Sequence, residues 1–159
     1  MQPGVAAEES DELASLMSKV LEVETAFESL AEWEGYLKTK NSALAELVLR
    51  LYSDSNNHMT IVRSLIRKTK VSDKVVEPPA DTGTFSFDGV GERGIADNIL
   101  LMERMAYDLY GQIVEVVNRF GPRNMLKDGH SEEFMSEVGS LRAAEQNHIK
   151  MVEQFIDTL

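Results

Sequence analysis

The chain has 159 residues, enough for one domain with a real hydrophobic core, and its 27 acidic against 16 basic residues give a formal net charge of −11. A field of that sign disfavours nucleic acid and anionic membrane surfaces as partners and suits cations, metal ions among them. The absence of cysteine excludes disulfides, iron–sulfur clusters, thiolate zinc and a rubredoxin-type iron site; no apolar run approaches the roughly 20 residues of a membrane span, and the acidic opening MQPGVAAEESDE lacks a secretory signal's basic-then-apolar pattern, so a soluble cytoplasmic protein is expected.

Four long stretches carry helical periodicity and nothing reads convincingly as a sheet. The first covers residues 10–37, with apolar positions Leu13, Leu16, Met17, Val20, Val23, Phe27 and Leu30. The KTKNS stretch after it supplies a short turn, with Asn41 or Ser42 as the N-cap of the second helix. That helix extends to about Lys70 through Leu44, Leu47, Val48, Leu51, Val62, Leu65 and Ile66, and closes on basic residues that suit the negative end of its dipole. Residues 71–91, with Pro78 and Pro79 among Gly, Asp and Thr, read as a long connection carrying a short extended piece at TFSF. The third helix runs over 92–120 and stops at Gly121 and Pro122; the fourth starts near Ser131, has Glu132 and Glu133 in its first turn, and continues to the end. Two short connections flanking a long one predict an all-α, antiparallel four-helix bundle in a single domain spanning 1–159, built of a helical hairpin at 10–70, a crossover at 71–91 and a second hairpin at 92–159.

Helical phase sorts the polar residues, because each step along a helix turns about 100°. In the fourth helix the apolar stripe passes through Phe134, Val138, Leu141, Ile149, Val152 and Ile156; Glu145 lies at its centre and His148 within roughly 60° of it. In the second, His58 and Ser55 lie within about 40° of a stripe centred near Leu51. Glu24 lies within about 40° of the first helix's axis and Glu103 roughly 60° from the third's, whereas Glu28 sits at a stripe edge and Glu22, Asp108 and Glu115 face away. Glu24, His58, Glu103, Glu145 and His148 therefore point into one interior, each near the middle of its helix. Buried carboxylates are expensive to ionise without compensation, and divalent cations would supply it.

Taken singly, each residue also has a plainer reading: His58 as a hydrogen-bonded core histidine, Glu24 and Glu103 as stripe-edge acids, Met59, Met102 and Met105 as flexible core filling. Trp33, Tyr36 and Tyr52 lie toward helix ends, where ordinary packing or packing between subunits suits them, and His130 in its KDGHSEE loop reads as solvated.

On these residues the chain resembles the ferritin-like superfamily, and within it the rubrerythrin-like and bacterioferritin-like di-iron proteins, whose pattern is Glu, Glu-x-x-His, Glu, Glu-x-x-His on successive helices. Glu24 matches the first position, His58 the second helix's histidine, Glu103 the third position, and EQNH gives Glu145 with His148. The resemblance implies a ferritin-like bundle with one crossover, a di-iron centre (manganese or zinc as alternatives), ferrous-iron oxidation or reduction of peroxide or dioxygen, an external electron donor, and a homodimer or larger homo-oligomer, with no nucleic-acid or membrane partner. It also implies a tyrosine on a ligand carboxylate, for which Tyr107 and Tyr110 are the candidates. The departure is Ser55, which stands where the pattern has a bridging glutamate; water, Glu28 or Asp54 would then fill in, or the site holds one metal or none, and a degenerate site leaves a bundle that acts as a non-catalytic oligomerisation or interaction protein. Iron storage in a closed shell is a third reading that the sequence leaves open.

Overall fold

The computed structural model describes residues 3–28, 41–78 and 91–159, with side chains described from residue 8 onward except Glu28. The expectations for Leu30, Trp33, Tyr36, most of the KTKNS turn, the TFSF piece and the greater part of the crossover lie outside the described residues. Those described are helical, with no strand among them. We label the long helices α1 (Pro3–Glu28), α2 (Ser42–Lys68), α3 (Glu92–Phe120) and α4 (Ser131–Asp157). A 3-10 turn at Ser72–Lys74 and a single helical turn at Pro122–Met125 complete the set.

Helix α1 starts earlier than the expected residue 10. Pro3 suits a first helical position, where its missing N–H has no partner to lose, and past Gly4 and Val5 the alanines and glutamates at residues 6–9 are good helix formers that join this turn to the rest of the helix. Asn41 caps α2, its side-chain oxygen accepting from the N–H groups of Ala43 and Leu44. The helix stops at Lys68 instead of Lys70, because Thr69 turns extended and enters an isolated antiparallel bridge with Leu126. Lys70 N–H donates to the Met125 carbonyl and Lys127 N–H to that of Lys68, both at 2.8 Å. At the end of α3, Gly121 adopts φ 92°, a left-handed value that side chains resist, and Pro122 starts the single turn that follows.

Helix α1 packs against α2 and α3, and α4 packs against the same two. End-to-end contacts fix the directions. Lys68 at the end of α2 pairs with Glu133 and Glu137 at the start of α4, and Arg119 at the end of α3 with Glu12 near the start of α1. Asn41 and Glu92, which open α2 and α3, are hydrogen-bonded to each other, so these two helices run parallel across a diagonal while neighbours run antiparallel. The four stripes meet in one core that includes Leu13, Val20 and Phe27 of α1, Leu51 and Leu65 of α2, Ile99 and Ile113 of α3, and Phe134, Val138 and Val152 of α4. Met59 belongs to that core and Met102 packs at its edge. Met105 does not: it is 44% exposed, because it falls on the outer side of α3.

Candidate metal centre

Each helix brings its polar residue into the core by the same local logic. Glu24 lies between Val20 and Phe27 on α1, Glu103 between Ile99 and Ala106 on α3, His58 one turn from Val62 on α2, and Glu145 and His148 between Leu141 and Val152 on α4; all are buried. Every one of the five is less than one-tenth exposed. They gather into two groups, Glu24 with His58 and Glu145, and Glu103 with His148 and Glu145, and within each group one donor atom per residue lies within 4.8 Å of the others. Glu145 is common to both.

The two halves face each other through the histidines, whose rings stack 5.7 Å apart at 24°. His58 presents Nδ1 to Glu145 Oε1 at 2.9 Å and to Glu24 Oε1 at 3.3 Å. His148 presents Nδ1 to Glu103 Oε2 at 3.3 Å and to Glu145 Oε2 at 3.4 Å. In a helix, residues three apart lie on one face, which is why Glu145 and His148 meet without leaving α4.

The electrostatics are those of a crowded, dry acid cluster. Burial raises the carboxyls of Glu24 and Glu103, the latter well above the usual range and further through its contact with Glu145. Glu145 goes the other way: burial opposes ionisation, but hydrogen bonds from Glu103, His148 and His58 hold it ionised and well below the usual carboxylate range. For the histidines burial pulls downward and the carboxylates prevail, lifting His58 to about 10 and His148 to about 11. Even so, Glu145 Oε2 is fully buried with no hydrogen bond of acceptable geometry. An orphaned buried oxygen on an ionised carboxylate calls for a proton shared from Glu103 or for a cation. The donor set, three carboxylates and two imidazoles with no thiolate, suits iron, manganese or zinc, and the donor atoms of each triad, within 4.8 Å of one another, would have to draw in slightly to meet one ion at bond lengths of about 2 Å. On both counts the residues could hold a metal ion.

The surrounding residues differ from expectation in instructive ways. Ser55 is buried and its hydroxyl lies 2.6 Å from Glu24 Oε2 and 2.9 Å from the Glu24 carbonyl, so it orients Glu24 instead of bridging. Tyr110 does bond one of the cluster's carboxylates, but it reaches across to Glu24 Oε1 at 2.8 Å, not to Glu103 on its own helix. Burial, followed by the repulsion of Glu24 and its neighbours, keeps the phenol neutral. Tyr107 takes no such role; it packs at the core edge with the Arg142 guanidinium 4.3 Å over its ring. Asp54 does swing toward the cluster, but onto the outer nitrogen of a histidine and not in among the carboxylates: its Oδ2 meets His148 Nε2 at 2.8 Å and is itself 3.5 Å from Arg50 Nε. Stripe-edge phase placed Asp54 near the site, but not on the far nitrogen of the opposite helix's histidine. The Glu28 side chain lies outside the described residues. His130 is partly exposed, 4.0 Å from Glu133, and remote from the cluster.

A pocket of about 260 Å³ opens between α2 and α4 beside His58, walled also by Ile61, Ser136, Ser140 and Ala144. No helix among the described residues is long and apolar enough to cross a membrane. Comparison with known proteins leaves the reading to the residues themselves: no protein-family model matches the chain, and neither a curated protein nor a solved structure does.

Proposed function

We propose that this chain is a di-metal carboxylate protein, a ferritin-like four-helix bundle with one long crossover between α2 and α3, and that its interior holds two ions, iron foremost with manganese or zinc as alternatives. Parallel α2 and α3 support the crossover, since their connection must travel back along the bundle. The observation that carries the metal reading is Glu145: one carboxylate belongs to both triads, and its buried Oε2 has only a long 3.4 Å contact with His148 Nδ1, too poorly aligned for a hydrogen bond.

Bound iron would supply the redox chemistry, toward dioxygen or peroxide, that side chains lack. The chain's own residues do the rest. Glu145 spans the two positions, Glu24 and Glu103 balance charge, and His58 and His148 offer Nδ1 once their protons are displaced, as ligands must be deprotonated to bind. Tyr110 and Ser55 hold Glu24 in place, and the apolar layers around the cluster keep water out. Electrons would come from an external donor, because the chain has no cysteine to hold a cluster of its own. The activity this supports is of the ferroxidase or peroxidase type, in a cytoplasmic homodimer or larger assembly.

The test is elemental analysis of protein purified without added metal, followed by anaerobic titration with ferrous iron and a peroxide challenge. Two ions per chain are expected, with both lost in Glu145→Gln; a chain that takes up no stoichiometric metal sinks the reading. Ser55 favours one alternative, a degenerate bundle acting through oligomerisation or partner binding. In that case the untreated protein contains no iron, manganese or zinc, while light scattering or partner capture still reports assembly.

A further inference from the structure

The two halves of the cluster are alike in their ligands and unlike in their surroundings. His58 and Ser55 on α2 correspond to His148 and Glu145 on α4, and by the same offset Asp54, four residues before His58, corresponds to Ala144, four before His148. Asp54 reaches across the α2–α4 boundary and takes His148 Nε2 at 2.8 Å. Arg50, one turn earlier on α2, lies against the same carboxylate oxygen. The corresponding place beside His58 is occupied by a methyl group. Both hydrogen bonds of His58 are made through Nδ1, none is made by its Nε2 among the described residues, and its ring is instead part of the wall of the 260 Å³ pocket that Ala144 also lines.

A carboxylate on the far nitrogen of a metal-ligating histidine fixes the ring and raises its basicity, and its loss typically costs about 10- to 100-fold in metal affinity. Among the described residues, only the His148 half of this cluster has such a carboxylate. The carboxylates are unequal too. Glu24 already accepts from Ser55, Tyr110 and His58, so an ion there competes with hydrogen bonds, whereas among the described residues the Glu103 carboxylate has only its contacts with His148 and Glu145.

Resting on the di-metal reading above, we infer that the two positions are functionally distinct: Glu103, His148 and Glu145, backed by Asp54, form the tighter site, and Glu24, His58 and Glu145, with no carboxylate behind the histidine, form the weaker, more readily exchanged one. Asp54 is then a positioning residue that acts through His148. The site backed by Asp54 retains its ion, and the other exchanges its ion more readily.

The experiment is anaerobic calorimetric titration with Mn²⁺, a probe that binds oxygen and nitrogen donors without oxidation, combined with anomalous diffraction from crystals given one equivalent. Two resolved steps are expected, with the first equivalent beside His148. Asp54→Ala, at a partly exposed position that tolerates truncation, should weaken the first step about 10- to 100-fold and leave the second unchanged. Ala144→Asp, which supplies the missing carboxylate to His58, should tighten the second step and narrow the gap. Thermal melts of both apo variants verify folding. Equal occupancy beside the two histidines, or an Asp54→Ala effect spread over both steps or absent, overturns the inference while leaving two ions bound. No binding in any variant or in the parent chain overturns the di-metal reading itself.

Discussion

Ser55 is where the cluster departs from the resembled pattern, and its hydroxyl takes Glu24 instead. Its hydroxyl is buried and 2.6 Å from Glu24 Oε2, so removing it leaves a carboxylate oxygen short of a donor. Ser55→Ala is expected to destabilise the metal-free protein by about 1–3 kcal/mol, read from urea denaturation midpoints. Ser55→Glu has the opposite signature in the presence of metal. It adds an acid to a cluster in which burial already raises two carboxyls, so the metal-free variant melts below the parent, while added Mn²⁺ raises its melting temperature by more than it raises the parent's. Equal metal-induced shifts in the two proteins would mean that position 55 does not face the ions. Phase along each helix was enough to bring Glu24, His58, Glu103, Glu145 and His148 into one interior, because burial of a helix face is a local property of the pattern. Asp54 on His148 and Tyr110 on Glu24 were not readable in this way. Both side chains cross a gap between helices, and where they land depends on interhelical rotation that no single periodicity encodes.

At the scale of the helices, the stripes of α2, α3 and α4 read from sequence because apolar residues recur at helical spacing with Gly121 and Pro122 as punctuation. The ends read less well. Helix α2 stops at Lys68 because of a backbone bridge to residue 126, a partner 57 positions along the chain from Thr69 that no capping rule can anticipate. Helix α1 runs back to Pro3, since good helix formers extend a helix wherever nothing stops them. Within α4, Gly139 is exposed and a methyl group there would meet no atom within 4 Å. A glycine in a helix interior costs roughly 0.5–1 kcal/mol relative to alanine, so Gly139→Ala should stabilise the protein by about that amount without touching the cluster. For a domain of this size that corresponds to a rise of about 1–4 °C in melting temperature. Unchanged metal stoichiometry alongside that rise would separate helix stability from site chemistry; a lower melting temperature would mean that the outer face of α4 is covered in solution.

For the whole molecule, the acidic balance and the buried cluster make the same demand for cations but at different places, and a stability measurement can tell them apart. A protein with net charge −11 attracts divalent ions to its surface by long-range field alone, weakly and with strong screening by salt. The interior cluster offers three carboxylates and two imidazoles in a dry layer, where the gain from a cation is large because the uncompensated alternative is costly. A ligand that binds only the folded state stabilises it by about 2.7 kcal/mol at 100 times its dissociation constant. Two such ions, at about 2–4 °C per kcal/mol, should raise the melting temperature by on the order of 10–20 °C, and a chelator should reverse the rise. Glu145 belongs to both triads, so Glu145→Gln removes one charge of eleven from the field but a ligand from each interior position. The rise should therefore collapse in that variant and survive in a surface control such as Glu153→Gln, at moderate salt in both cases. A rise that persists in Glu145→Gln and fades with added salt would place the ions on the outside of the bundle, and the interior carboxylates would then have to share protons instead of metals.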